Sequence, residues 1–242
     1  MSVPITLPRA VLYDWDNTLV SNWDTVRAAL NHALVSFGFD PWTAEEARER
    51  IKASLRDSFP GIFGERWTEA RDLFYGYFAA HHLDGLKPLP GAQALLAHLH
   101  ERGVYQAVVS NKNGKFLRAE AEALGWTRYF GRLVGAQDAE FDKPHLAPVR
   151  MALEPAGIEP GLHVWFLGDA DIDMECAHGA GLVPVLIGQG EGSGFDRHPP
   201  AHRHTDCTAL HRVLYGLVDG DGDTISLRAA VESVSVSAKP TP

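Results

Sequence analysis

The sequence predicts an α/β fold: a three-layer sandwich built on a doubly wound parallel sheet, with a helical subdomain inserted after the first strand. Three observations carry this reading. Short apolar runs recur along the chain and are continuous rather than alternating, the pattern of strands covered on both faces. Amphipathic helical stretches alternate with those runs, as parallel crossovers require. Between residues 22 and 86 the alternation stops, leaving only helical stretches rich in Ala, Leu, Arg and aromatics.

The first strand is AVLY, residues 10–13, followed at once by DWDNT. The interval 22–86 is too long for one crossover, and a structureless loop of that length is improbable. It is therefore read as a small helical cap, with LKPLPG (86–91) as the hinge back to the core and 91–102 as the next helix. The second strand is YQAVV, 105–109. A helix over 114–124 follows, with Phe116, Leu117, Ala121 and Leu124 on one side. RLVGA (132–136) is a weaker third strand. Helix 146–153, strand HVWFL (163–167), helix 172–180 and strand VPVLI (183–187) complete the alternation. The expected division is a core of residues 1–21 and 87–218, a cap of 22–86, and a partly disordered extension over 219–242 ending in SVSVSAKPTP. No internal repeat is found.

Composition narrows the function classes. Acidic residues outnumber basic ones by 31 − 22 = 9, giving a net charge of −9. Such a surface repels phosphate backbones, and no basic cluster offsets it, so nucleic acid is not expected as a partner. The two cysteines, Cys176 and Cys207, do not make a disulfide scaffold, and a reducing cytoplasm is the expected location. MSVPITLPRA lacks an apolar core of signal-peptide length, and no run approaches the roughly 20 apolar residues of a membrane span. A homodimer formed through the cap is compatible with the sequence, and no residue argues for it.

In open parallel sheets, ligands bind beyond the carboxyl ends of the strands. Here those ends carry Asp14 and Asp16, then Ser110 and Asn111, then Asp169 and Asp173, with Lys143 just before the helix after the weak third strand. Carboxylates gathered around one point repel each other unless a hard cation sits among them, and Mg2+ suits oxygen ligands of this kind. Asp169 and Asp173 are spaced i, i+4, so the opening turn of a helix aims both the same way. Ser110, Asn111 and Lys143 supply donors and a positive charge for an anion, so a phosphate fits between the metal and the lysine. Asp171, between the two, reads as a capping or solvated residue.

In this order and setting the motifs resemble those of the haloacid dehalogenase superfamily, over about residues 9–190. Asp14-Trp15-Asp16-Asn17-Thr18 is similar to its first motif, Ser110-Asn111 to its second, Lys143 to its third, and GDADID ending at Asp173 to its fourth. Pro90-Gly91, leading into a helix, resembles members whose helical cap follows the first motif. The resemblance implies a Rossmann-like core and an aspartyl-phosphate mechanism. Asp14 would be the nucleophile, and Asp16 would protonate the leaving alcohol and then activate water. Mg2+ would be bound by Asp14, the Asp16 main-chain carbonyl, Asp169 and, directly or through water, Asp173. Ser110 and Lys143 would neutralise the transferring phosphoryl group.

The resemblance also implies that dehalogenases and phosphonate cleavers lack the second aspartate, so Asp16 favours phosphate esters, whose alkoxide leaving group needs a proton. The expected function is a magnesium-dependent phosphomonoester hydrolase acting on a small phosphorylated metabolite. Phosphoglycolate is the first choice, since the cap type and flanking sequence look most like phosphoglycolate phosphatases. A phosphosugar mutase using the same aspartyl-phosphate, and a ligand-binding protein that has kept the fold without turnover, are the alternatives. Asn17 departs from the glycine commoner at that place. Trp23, Arg27, Phe59, Phe63, Arg66 and Trp67 are candidates to face the substrate, although aromatics at helical spacing belong more often to a core. Three other stretches read as bland. DGDGDT (219–224) lacks the turn glycine and last ligand of a calcium loop. HPPAHRHTDC (198–207) fits no standard zinc spacing and reads as a loop. GQGEGSG (188–194) lacks the Lys-Ser/Thr of a phosphate loop and also reads as a loop.

Overall fold

The structure, a computed structural model, describes residues 7–50, 55–191 and 194–219. Six parallel strands form one sheet in the order β5-β4-β1-β6-β7-β8. They are β1 (Ala10–Tyr13), β4 (Tyr105–Asn113), β5 (Arg132–Ala136), β6 (Val164–Ala170), β7 (Val183–Glu191) and β8 (His202–His204). Central β1 pairs with β4 and β6 in a register that sets Leu12 opposite Ala107 and Phe166.

All four residues of β1 are fully buried, which is why its apolar run is unbroken. Alternation still divides it. Val11 and Tyr13 join one core cluster and Ala10 and Leu12 the other. The first cluster lies under α5 (Ala92–Glu101), α6 (Gly114–Ala123) and α9 (Cys207–Asp219), through Leu95, Leu96, Leu99, Leu117, Leu210 and Leu214. The second lies under α7 (Ala147–Leu153) and α8 (Asp171–Gly179), through Val149, Leu153, Cys176 and Ala177. Each leucine so enclosed contributes roughly 1.5–3 kcal/mol by leaving water. The three layers follow from this two-sided burial.

Between β1 and the rest of the sheet come α1 (Trp23–Ser36), α2 (Ala44–Arg50), α3 (Leu55–Phe63) and α4 (Trp67–His81). They enclose a third cluster around Leu30, Leu34, Phe59, Phe63, Phe74 and Phe78. A short antiparallel pair, β2 (Val20–Ser21) with β3 (Lys87–Pro88), clasps the two chain passages that join these helices to the sheet. Of the aromatics weighed as substrate contacts, Phe59 and Phe63 are core, and Trp23 and Trp67 pack against it. Arg66 is exposed, stacked on Phe37 and paired with Glu69.

Three details depart from the sequence reading. β4 and β6 run past their apolar stretches, because pairing resumes beyond an irregularity at Asn113↔Ala136 and Ala170↔Glu191. Ser110 and Asn111 thus lie inside a strand. The same pairing draws 188–191 into β7 as strand rather than loop. The stretch 198–207, also read as loop, holds edge strand β8, which pairs with β7 through His202, Arg203 and His204. Its polar composition hid it, since an edge strand needs little apolar surface. All but the first residue of DGDGDT, and the remainder of the C-terminal extension to 242, lie outside the described residues.

β8 carries a pH signature. Burial holds the imidazole of His202 below its usual range, and burial with the neighbouring His202 pushes that of His204 down to about 4. Between pH 6.5 and 4 the unfolded chain therefore binds protons that the folded chain does not. The contribution is complete above pH 6.5 and is lost as pH falls towards 4. Discounted for partial exposure, it amounts to roughly 1–2 kcal/mol, or about 2–8 °C in Tm. A Tm series from pH 7.5 to 4.5 should show this decline, and His204→Phe should flatten it. An equal slope in the variant would place the acid sensitivity elsewhere.

Candidate active site

The candidate side chains gather at the carboxyl edge of β1, β4 and β6. β1 ends at Tyr13, so Asp14 begins the turn. Its backbone N–H still donates to Leu167 O at 2.8 Å, which ties the turn to β6. Two further bonds, Leu19 N–H to Trp15 O and Val20 N–H to Trp15 O, fold the chain back on itself. At the bend Asn17 has φ 59°, a left-handed conformation that glycine adopts freely and asparagine tolerates best after it. This accounts for asparagine at the place where glycine is commoner.

Asp14, Asp169 and Asp173 are all buried, and one carboxylate oxygen of each lies within 4.8 Å of the others. Lys143 reaches this cluster from the loop before α7. Its Nζ donates to Asp14 Oδ1 at 2.7 Å and to Asp173 Oδ1 at 2.6 Å. Burial alone would lower the Lys143 pKa, but the two carboxylates outweigh it and the ammonium is held well above the usual lysine range. Burial pushes the Asp173 carboxyl up. Lys143 draws it back, Asp14 adds to the rise, and it settles at about 6. Asp169 accepts from Thr18 Oγ1 at 3.1 Å, which links the first loop to β6.

Asp173 is placed by its own helix terminus. It lies in the first turn of α8, where its Oδ2 accepts from Ala170 N–H at 3.1 Å, a position that favours negative charge. Gly168 makes room for it. A Cβ on Gly168 would run into Asp173 Cβ and Cγ. Asp171 accepts from Gly194 N–H at 2.9 Å, a structural contact that fits its reading as a capping residue.

Asp16 stands apart from this cluster. Its two oxygens accept from Lys112 Nζ at 2.9 and 3.3 Å, and about a third of its side chain is exposed. Burial raises its pKa, Lys112 lowers it, and Glu120 and Asp14 raise it again, for a net upward shift. Ser110 is buried, with Oγ accepting from Lys112 N–H at 3.2 Å. Asn111, read among the phosphate donors, has its side chain bonded to the backbone of Lys143. Its Nδ2 donates to Lys143 O at 3.1 Å and its Oδ1 accepts from Lys143 N–H at 2.9 Å. In this structure it clamps the lysine loop.

Sequence reasoning missed Lys112, Glu120 and the indole of Trp15. Glu120, on α6, is fully buried. It accepts from Trp15 Nε1 at 2.7 Å, lies 2.9 Å from Lys112 Nζ, and meets His82 Nδ1 at 3.0 Å. The Trp15 ring also meets Trp126 and Phe130 edge-on.

The carboxyl edge of the parallel sheet thus brings together a buried carboxylate cluster, one lysine and a separately held aspartate. The chain belongs to the haloacid dehalogenase-like hydrolase family, whose pattern matches residues 11–187. Among curated relatives, phosphoglycolate phosphatase 1 of Pseudomonas aeruginosa is 30% identical over 198 residues, covering 78% of this chain and 72% of that protein. A phosphoglycolate phosphatase of Pseudomonas fluorescens Pf0-1 is 28% identical, over 97% of this chain and 89% of that one. Solved structures agree. A haloacid dehalogenase-superfamily hydrolase from Ehrlichia chaffeensis has a TM-score of 0.64 at 28% identity, covering 89% and 100% of the two chains. A haloacid dehalogenase-like family hydrolase from Streptococcus pneumoniae, at 20% identity, has a TM-score of 0.74 over 85% and 97%, and shows the fold alone. Within its family this chain is an enzyme of the phosphatase type. No helix among the described residues is long and apolar enough to cross a membrane.

Proposed function

We propose that this enzyme is a magnesium-dependent phosphomonoester hydrolase of small phosphorylated metabolites, with 2-phosphoglycolate as the first substrate to test. The observation that carries the reading is the separation of two aspartates only two residues apart. Asp14 faces Lys143 inside the buried cluster, whereas Asp16 faces Lys112 at its open side with a raised pKa. Environments that set neighbouring carboxyls apart mark their roles in acid–base chemistry.

Asp14 attacks phosphorus through a carboxylate oxygen, and the bond from phosphorus to the leaving oxygen breaks. Asp16, carrying a proton, gives it to that oxygen. Asp16 then takes a proton from the water that attacks the aspartyl-phosphate, and Asp14 is released. Lys143 and Ser110 balance charge on the phosphoryl oxygens, a task of positioning and electrostatics. The donor set fits Mg2+, being three buried carboxylates within reach of one point. Asp14, Asp169 and Asp173 with the Asp16 carbonyl would hold the ion, which supplies charge neutralisation for the phosphate. The helices α1–α4 serve as a cap over this edge, and the choice of phosphoglycolate is supported by the names of the curated relatives. The expected location is the cytoplasm.

The test is phosphate release across a panel of phosphorylated metabolites, run with Mg2+ and with EDTA. We expect release that EDTA abolishes and added Mg2+ restores, with 2-phosphoglycolate among the fastest substrates. Release that persists in EDTA would refute the metal requirement. Silence across the panel would refute the hydrolase reading.

A further inference from the structure

We infer that Glu120 and Lys112 form a positioning pair for Asp16, with Glu120 fixing the lysine and the lysine fixing the carboxyl that protonates the leaving group. The inference rests on the reading of Asp16 as that acid and adds two residues to it. A buried carboxylate is costly unless its lone pairs are matched, and Glu120 is matched from three directions. Trp15 Nε1, from the residue between the two aspartates, donates to Oε2 at 2.7 Å. Lys112 Nζ at 2.9 Å and His82 Nδ1 at 3.0 Å share Oε1. A carboxylate only accepts, so His82 Nδ1 is the donor in this contact.

Lys112 extends this hub to the reaction. One ammonium bridges Glu120 and both oxygens of Asp16, the latter at 2.9 and 3.3 Å. The ring of Phe78, from α4, lies 5.3 Å from the same Nζ. Only 6% of the lysine side chain is exposed, so it is held rather than waving in solvent. Asp16 itself is about one-third exposed and follows no strand pairing of its own beyond one bridge to Val20. An aspartate so placed needs an external partner to keep its carboxyl within hydrogen-bond reach of a leaving oxygen. Lys112 supplies it, and Glu120 keeps Lys112 from swinging out to water. Both act through Asp16 and are positioning residues.

The test compares Lys112→Met, Lys112→Arg and Glu120→Gln with Asp16→Asn in the full chain with Mg2+. Two probes are used, 2-phosphoglycolate, whose leaving alkoxide needs a proton, and 4-nitrophenyl phosphate, whose phenolate leaves without one. First-turnover rates are measured so that the later hydrolysis of the aspartyl-phosphate does not enter. Lys112→Met should slow the alkyl ester about 10–100-fold, part of the usual acid–base contribution, with KM changed less than about threefold. The aryl ester should lose less than about threefold. Lys112→Arg should recover most of the alkyl rate, and Glu120→Gln should show the same pattern at smaller size. Equal losses on both esters, or a loss confined to KM, would overturn the positioning role, as would an unchanged alkyl rate. If Lys112→Met does not fold, Glu120→Gln and Lys112→Arg carry the same comparison. Full alkyl activity in Asp16→Asn would instead refute the acid assignment beneath it, so the two failures are told apart.

Discussion

Asp14→Asn is expected to lower kcat by about 10⁴-fold or more, the scale of loss when a covalent nucleophile is removed, while leaving the protein folded. Asparagine has nearly the same shape, and its carbonyl oxygen can still accept from Lys143, which now donates to Asp14 Oδ1 at 2.7 Å. What disappears is the anionic oxygen that attacks phosphorus. The substitution also removes a charge that pushes Asp173 upward. Metal-free Asp14→Asn should therefore melt no lower than the parent, and its Asp173 should titrate below about 6. The decisive comparison is single-turnover chemistry against Tm. Activity within about tenfold of the parent would sink the nucleophile assignment. Inactivity with a large fall in Tm would show instead that Asp14 is a structural ion-pair partner.

The core was legible because its signals are local. The unbroken run Ala10–Tyr13 is buried on both faces, as its composition implied, and the carboxyl-edge rule then located Asp14, Asp169, Asp173 and Lys143 together. What escaped notice depends on contacts far apart in sequence. Glu120 lies three residues after Leu117 and four before Leu124, on the apolar stripe of α6, and a charge on that stripe is the one clue the sequence offered. It does not say which partners arrive. Those come from residues 15, 82 and 112 on three other segments. Lys112 lies two residues beyond Ser110 in β4, past the apolar run 105–109 that marks the strand in the sequence. Asn111 reads as a donor because it stands at a strand end, and the sequence does not show that its side chain meets the loop of Lys143. β8 was missed because three residues with two histidines carry no apolar period.

Lys143→Met should produce the largest fall in stability of any single change at the site. The lysine is 2% exposed and stands between two carboxylates, Asp14 at 2.7 Å and Asp173 at 2.6 Å. Methionine fills much of the space without the charge, so both anions lose their common partner inside the protein. Removing the cation that buried carboxylates share leaves them uncompensated and typically costs about 3–5 kcal/mol, or roughly 6–20 °C in a chain of this length. The pH dependence identifies the cause. Asp173 already sits near 6, above its unfolded value, and without Lys143 it rises further. The folded variant then binds protons that the unfolded chain does not, so its stability falls as pH rises through that raised pKa and recovers on acidification. Two compensations follow from the same charge argument. Mg2+ should restore part of the lost Tm, since it brings positive charge to the same carboxylates. Asp173→Asn should restore stability in the Lys143→Met background, giving a coupling of opposite sign to the single losses. Catalysis should not return with stability, because the phosphoryl oxygens still lack the ammonium, and kcat should stay down by about 10²–10³-fold. A loss under about 1 kcal/mol with no pH or Mg2+ dependence would mean that Lys143 is not the counter-charge of this cluster.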